Sequence, residues 1–395
     1  MIIAKIWKND YPWDVRVEKF CKTLINDGNK VHLICNNLKG YKTRDEIDGF
    51  QIHRLYPIKN KILKKICSLP FFFNPFWLHK IFKVVKDEKI EAIIVRDLPL
   101  VLSALLVGKI YKIPVIYDMA ENYPAMWDET VSRKGVKLYN YFLKNSELAR
   151  IIENYVLKRV DHIIVVVEES KKKLLKKGIP DNKLSIVSNT PDLKLFKKRN
   201  NGDERFLRDR FKLLYVGGID SESRGLDTVI KSIPFLKEKI ENLYFIVIGD
   251  GEYLEDLIKI VRKLGVEKYV RFCGWVDFKL VPTYIYNCDV CVVPHNVNEH
   301  INSTIPNKLF EYMACKKPVI VSDAIPLKRI VEENNCGVVF NSKDVTNFAG
   351  KVMELQDPSA RTQMGENGYY AVIRKYNWAK DSQVLRDLFK KWSGR

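Results

Sequence analysis

Nowhere in its 395 residues does the chain carry an Asp-x-Asp triplet, so a metal ion clamped between paired aspartates is not expected. No uninterrupted apolar stretch reaches the roughly 18 residues that a spanning helix needs, so the chain should not cross a membrane. No internal repeat or low-complexity tract stands out. The eight cysteines, at 21, 35, 67, 273, 288, 291, 315 and 336, are scattered through mostly apolar segments. Cys288 and Cys291 have CxxC spacing, but they lie inside CDVCVVP, which reads as a buried strand. Residues three apart on a strand point to opposite faces, and no second Cys/His pair stands nearby. Structural zinc is therefore not expected, and buried, reduced thiols suit the cytoplasm. The opening MIIAKIWKND looks like a strand and its exit loop rather than a signal peptide.

What the chain does have is length for two domains, with 46% hydrophobic and 29% charged residues. Its formal charge of +19 is unevenly placed. Residues 1–200 hold 38 Lys+Arg against 22 Asp+Glu, or +16, and residues 201–395 hold 29 against 26, or +3. The first half is drawn to something anionic (a phospholipid surface, a lipid diphosphate or nucleic acid), or else its lysine-rich helices are simply solvated. Without zinc-finger spacing or a basic-aromatic sheet motif, nucleic acid is not the expected partner.

Short β-branched runs alternate with helical patterns from end to end. Strands are expected at 1–7, 30–36, 50–55, 91–96, 114–118, 161–167 and 184–188, then at 211–216, 243–249, 270–274, 289–294, 317–322 and 337–340. Helical periodicity fills gaps such as 15–27, 98–111, 225–238 and 252–264. This alternation predicts α/β architecture: two Rossmann-like, doubly wound parallel-sheet domains facing a central cleft. The expected boundaries are 1–190, a linker at 191–210, and 211–375. A basic amphipathic tail, 376–395, is expected to pack back on the first domain.

Three strand-to-loop junctions and one helix start in the second half carry the chemistry. In LLYVGGIDSESRGLDTVI, Gly217 and Gly218 would let backbone approach a ligand, and Arg224 with Gly225 would open a helix toward the same anion. IGDGE offers a second such loop at Gly249 and Gly251. In FCGWVD, a flat base could lie against the junction that holds Trp275 and Val276. In STIPNKLFEYMACKKPVIVSD, Pro306 suits a first helical turn, Lys308 projects from the helix start, and Glu311 follows on the same face. A cation is thereby placed for phosphates and a carboxylate for ribose hydroxyls, unless the two form an ordinary surface pair.

The series YVGG, RGLDTVI, FCGWV, CDVCVVP and PNKLFEYMACKKPVI resembles the donor half of the retaining glycosyltransferases of family 4, which have the GT-B fold. VRVEKFCKTLINDGNKVHLI, VIYDMAENYPAMW, IIVVVEESKKKLLKKGI and LSIVSNTPDLKLF extend the resemblance over nearly the whole chain. The resemblance implies a sugar nucleotide, UDP- or GDP-linked, bound by the second domain, and a lipid-linked or saccharide acceptor against the first. It matches Arg224 to the basic residue on the diphosphate, and Glu311 to the second acid of the Glu-x7-Glu motif. Asp118 and Glu121 match the loop facing the donor sugar. Ser303, Pro306, Asn307 and Leu309 fall along the donor motif. Ser303 replaces the first glutamate, Gly218 a common arginine, and Ala120 a histidine near the reacting carbon. These departures leave room for altered sugar contacts, an epimerase or an inactive binding subunit.

A glycosyl nucleotide carries its own leaving group, so cations aimed at the diphosphate supply most of the catalysis. Arg224 and Lys308 are expected to do so without metal or cofactor. Glu121 or Asp118 would be the carboxylate nucleophile if there is one. Asp14, Arg16 and Asp97 line the acceptor side, or else cap helices and pair as salt bridges. His295 and His300 read as loop residues, and His32, His53, His79 and His162 as packing.

Residues 59–86, KNKILKKICSLPFFFNPFWLHKIFKVVK, hold seven lysines and no acid. Either the face Trp77, Leu78, Ile81, Phe82 and Val85 seats the first domain on anionic lipid, or it packs on the sheet while the lysines are solvated. The expected location is cytoplasmic, peripheral to the inner face of the plasma membrane.

Overall fold

The computed structural model describes residues 1–395 except 13, 133–142, 197–209 and 394–395. It divides into two units, Met1–Ser188 with Ser382–Arg395, and Asn189–Asp381. Residues 197–209, most of the expected linker, lie outside the described residues.

The first unit is built on strands β1 (Ile2–Asp10), β2 (Lys30–Asn36), β3 (Arg44–Ile47), β4 (Phe50–Arg54), β5 (Ala92–Arg96), β6 (Val115–Met119), β7 (His162–Val165) and β8 (Leu184–Ile186). They pair in the order β3-β4-β2-β1-β5-β6-β7-β8. All pairings are parallel but β3–β4. The second unit holds β9 (Phe211–Val216), β10 (Leu243–Ile248), β11 (Val270–Phe272), β12 (Val290–Val293), β13 (Val319–Ser322) and β14 (Gly337–Phe340). They run parallel in the order β11-β10-β9-β12-β13-β14. Apolar runs such as AIIV and VCVV are buried throughout, as strands covered on both faces require. Strand order reverses beside β1 in one sheet and β9 in the other, and ligands bind at such points beyond the carboxyl ends of the strands.

Three expectations are corrected. β3 was not foreseen, because RDEI alternates charge without an apolar face. The Asp48-Gly49 turn, with φ of 52° and 83°, was the available hairpin signal. Cys288 precedes β12 instead of lying in it, and its Sγ comes within 3.4 Å of the Cys291 Sγ, so the two thiols do not point apart. Both are buried and free.

Segment 59–86 forms two helices, Lys61–Ser68 and Pro75–Asp87, tied by Asn74, whose amide donates to the Ile66, Cys67 and Leu69 carbonyls. Trp77 and Ile81 are fully buried and Val85 is nearly so, within the core of the unit. That face packs on protein. Lys80 is buried with them, its ammonium 5.0 Å from the Tyr56 ring, and burial lowers its pKa to about 8. Among the described side chains of this segment, the exposed apolar ones are Leu63, Ile66, Phe73 and Phe76.

Two of the packing histidines are also polar partners of each other. His32 Nδ1 and His53 Nε2 share a hydrogen bond of 2.9 Å. With a Glu88 oxygen they fit within 4.8 Å, but Arg44 already sits 3.5 Å from Glu88. Among the described residues, no helix is long and apolar enough to cross a membrane.

Candidate functional site

In the first unit, the carboxyl ends of β1, β5 and β6 carry a knot of charge. Lys5 on β1 donates to Asp118 Oδ2 at 2.9 Å. Arg16, on the helix Val15–Asn26, donates to Asp118 Oδ1 at 2.7 Å and to the Val187 and Ser188 carbonyls. Burial pushes the Asp118 carboxyl up, but Arg16 and Lys5 outweigh it and hold the group well below the usual carboxylate range. Burial lowers the Lys5 pKa despite that pairing. Asp118 has no exposed surface, so it is a counter-ion and not a nucleophile open to a sugar. Arg16 is occupied in the same knot and lines no open surface.

Asp14 caps the helix Val15–Asn26 by accepting from the Val17 amide and also pairs with Arg96. Arg96 stacks over the Trp7 ring at 4.2 Å. Asp97 is buried with φ at 68°, a conformation L-residues seldom adopt, and its Oδ1 has no hydrogen-bond partner among the described residues. Burial, with Glu121 and Asp118 nearby, raises its pKa to about 6 against the pull of Arg96 and Lys8. Glu121 is the half-buried carboxylate of the Asp118–Glu121 pair. Lys5 and Arg96 were missed in the sequence. A lysine inside the apolar run MIIAKIW was the only hint, and its partner lies 113 positions away.

In the second unit the loops after β9, β10, β11 and β12 gather around the start of the helix Asn307–Ala314. The Lys308 ammonium lies 3.6 Å from the Tyr215 ring centroid and has no hydrogen-bond acceptor among the described residues. A Cβ on Gly217, whose φ is 141°, would come within 2.5 Å of that ammonium, so glycine makes its berth. Burial, then the neighbouring Arg224, lowers the Lys308 pKa well below its ordinary value, and Glu311 and Asp220 oppose them. Arg224 is about one-third exposed and donates to Asp220 Oδ2 at 2.7 Å. Asp220 also lies beside Gly218, where a Cβ would meet its carboxylate at 2.9 Å. An arginine expected at position 218 is thus replaced by space for an acid that holds Arg224. Glu311 is half-buried one turn on from Lys308.

Several expected contacts take another role. Gly249 is pressed on the Gly217 carbonyl, and Gly251 on the Ile219 backbone, so these two glycines join loops to each other. The Arg224 and Gly225 amides are bonded within their turn, to the Ser221 and Glu222 carbonyls, and are not free for an anion. Pro306 stands one residue before the helix, not in its first turn, because its φ and ψ of −74° and 137° are extended. The Leu309 side chain is fully buried in the core. The Ser303 hydroxyl bonds to the Glu299 and His300 carbonyls of its own turn. Trp275 is 70% exposed at the loop after β11, Val276 and Asn307 are half-buried, and the Gly249 amide donates to the Gly274 carbonyl at 2.8 Å. Tyr215, Asp220 and His295, all close to Lys308 or Arg224, were missed as site residues.

The arrangement in the second unit can do one thing well. It offers preorganised positive charge on a desolvated surface, with a carboxylate one helical turn away and an exposed indole near a glycine loop. Such a surface is chemically suited to a phosphorylated ligand.

Comparison with known proteins agrees. Residues 196–370 match the sequence model of the glycosyl transferases group 1, and residues 14–195 that of glycosyltransferase family 4. The chain is 25% identical over 189 residues to an alpha-D-kanosaminyltransferase of Streptomyces kanamyceticus, a match spanning 47% of each chain. It thus spans about half the length of that curated relative. It is 22% identical over 322 residues to the UDP-Gal:alpha-D-GlcNAc-diphosphoundecaprenol alpha-1,3-galactosyltransferase of Escherichia coli, covering 79% of this chain and 78% of the relative. Among solved structures, the sucrose-phosphate synthase of Thermosynechococcus elongatus superposes with a TM-score of 0.79 at 18% identity, over 100% of this chain and 99% of that one. HepE of Anabaena in complex with UDP-glucose superposes with a TM-score of 0.72 at 15% identity, over 99% and 100%. These likenesses give the fold as GT-B.

Proposed function

We propose, for a chain that belongs to the glycosyltransferases of group 1 and family 4, that it moves a sugar from a nucleoside diphosphate to a lipid-linked saccharide in cell-surface polysaccharide or glycolipid assembly. The observation that carries the reading is Lys308: a desolvated ammonium, seated on Tyr215 by a glycine, with no acceptor of its own among the described residues. A buried cation costs stability unless an anion arrives, and a diphosphate is such an anion. UDP is the expected nucleotide, because HepE is solved with UDP-glucose. The acceptor follows the E. coli relative, whose printed name specifies a diphosphoundecaprenol.

In this reading Lys308 and Arg224 hold the diphosphate and stabilise the charge it gains as the glycosidic bond breaks. Arg224 swings from Asp220, an exchange of one charge-assisted bond for another. Glu311 accepts from the ribose hydroxyls, and Trp275 lies against the base. Glu121 is the carboxylate of the loop that faces the donor sugar, and Asp97 belongs to the acceptor side. Because two cations serve the leaving group, transfer proceeds without a divalent ion. Configuration is retained, as in the family: the acceptor oxygen attacks on the face the diphosphate leaves, and the departing phosphate takes its proton. Lysines with exposed Leu63, Ile66, Phe73 and Phe76 form the membrane contact, on the cytoplasmic side.

The test is transfer of labelled sugar from UDP-, GDP- and ADP-sugars to undecaprenyl-diphosphate saccharides, with and without EDTA. Expected is turnover of one donor, insensitive to EDTA. Donor hydrolysis or epimerisation with no acceptor product would refute the reading. For the membrane contact, Phe73→Ser with Phe76→Ser should abolish sedimentation with anionic vesicles at low salt. Wild-type protein that stays in the supernatant contradicts it.

A further inference from the structure

One buried side chain near Lys308 remains unaccounted for. His295 follows Pro294 at the end of β12, is 2% exposed, and has no hydrogen-bond partner for Nδ1 or Nε2 among the described residues. A neutral imidazole brings one N–H donor and one acceptor. Burying such groups unpaired destabilises the fold unless a partner arrives. The orphan is not an accident of a loose loop, because its backbone is stapled on both sides. A Cβ on Gly225 would lie 1.7 Å from the Pro294 carbonyl oxygen, so the turn Glu222–Arg224 and the end of β12 touch backbone to backbone. The Asn296 amide donates to the Ser223 carbonyl at 2.9 Å, and its side chain to the Glu222 carbonyl at 2.8 Å. The Val297 amide donates to Ser342 Oγ at 3.0 Å.

The neighbours that bear most on the ring electrostatically are the Lys308 and Arg224 cations, then His300, and all three disfavour its protonation. Burial first, and then those neighbours, keep the imidazole neutral. No carboxylate is among them. A partner that satisfies the His295 N–H must therefore be an acceptor, and the charge around it selects an anion. Water would satisfy the ring but would leave the Lys308 ammonium without a counter-ion.

We propose that His295 is a binding residue for the diphosphate of the nucleotide, giving its N–H to a phosphate oxygen alongside Lys308 and Arg224. This rests on the functional reading above and extends it to a residue that lies outside the glycine loops and the Lys308–Glu311 helix. His295 is fixed by the same turn that carries Arg224, so the loop after β12 and the turn after β9 deliver their donors together. A neutral donor beside two cations also adds a hydrogen bond without adding repulsion between like charges.

Isothermal titration of the full chain with UDP, GDP, ADP and inorganic pyrophosphate, and with uridine as a phosphate-free control, tests this. His295→Leu removes the donor while filling the space, and His295→Gln keeps an N–H of similar reach. Expected is a loss of about tenfold or more in affinity for the preferred diphosphate and for pyrophosphate in His295→Leu. Most of it should return in His295→Gln, with the unliganded melting temperature not lowered in either. Wild-type affinity in His295→Leu, or equal loss in both variants, overturns the role of His295. If Lys308→Met and Arg224→Ala still lose diphosphate binding in that case, the functional reading stands without it. Wild-type protein that binds none of the diphosphates overturns both.

Discussion

The two units treat buried charge in opposite ways. At the carboxyl ends of β1 and β6, Lys5, Arg16 and Asp118 satisfy one another and are closed to solvent. At the start of the helix Asn307–Ala314, Lys308 is also buried, at 9% exposure, yet its ammonium has no hydrogen-bond acceptor among the described residues. Only the first arrangement is complete within the protein. A closed knot fixes loops in place, whereas an unanswered ammonium stores an affinity that an incoming anion releases. Sequence alone ranks Asp118, Arg16 and Lys308 alike, as charged residues at strand or helix ends. Their partners separate them.

Substitutions should bring out the contrast. Asp118→Ala strands two buried cations, so the unfolding free energy should fall by about 3–5 kcal/mol. A loss below about 1 kcal/mol in denaturant titration would mean the knot is not closed. Asp97→Asn probes a carboxyl that folding pushes up to about 6 from an ordinary 3.8. Because folding disfavours its charged form, the native state is penalised as pH rises through that range. The variant should be more stable than wild type by about 3 kcal/mol at pH 8, with the difference shrinking to about 0.5 kcal/mol at pH 4 and gone at lower pH. A pH-independent difference would show that Asp97 does not titrate as its burial implies. Arg224→Ala should weaken nucleotide binding about tenfold. It should barely move the unliganded melting temperature, since its bond to the half-exposed Asp220 contributes little. A clear drop in the unliganded melting temperature would return Arg224 to a structural role.

The fold was legible because strands covered on both faces write themselves as apolar runs, and glycine and proline punctuate them. What escaped were features set by partners far along the chain. Lys5 reads as an interruption of a strand until Asp118 is placed beside it. Cys288 reads as strand because CDVCVVP is apolar, although the helix Val281–Tyr286 ends just before it. The amphipathic stretch 76–86 has two possible destinations, core or membrane, and periodicity cannot choose between them. In the second unit, the grouping of Lys308, Arg224 and Glu311 was legible from spacing and resemblance. His295 was passed over because a histidine in a polar loop carries no mark of the burial that leaves its nitrogens unanswered.

Lys308→Met offers the most direct measurement, read as thermal melting with and without UDP. Removing a cation whose pKa folding lowers should leave the unliganded protein at least as stable as wild type at neutral pH. Any gain should shrink as pH approaches the ordinary lysine value, near 10.4. The UDP-induced rise in melting temperature expected of wild type should vanish. A variant that melts lower without ligand yet keeps the full UDP shift would show that Lys308 serves the core and that the diphosphate binds elsewhere.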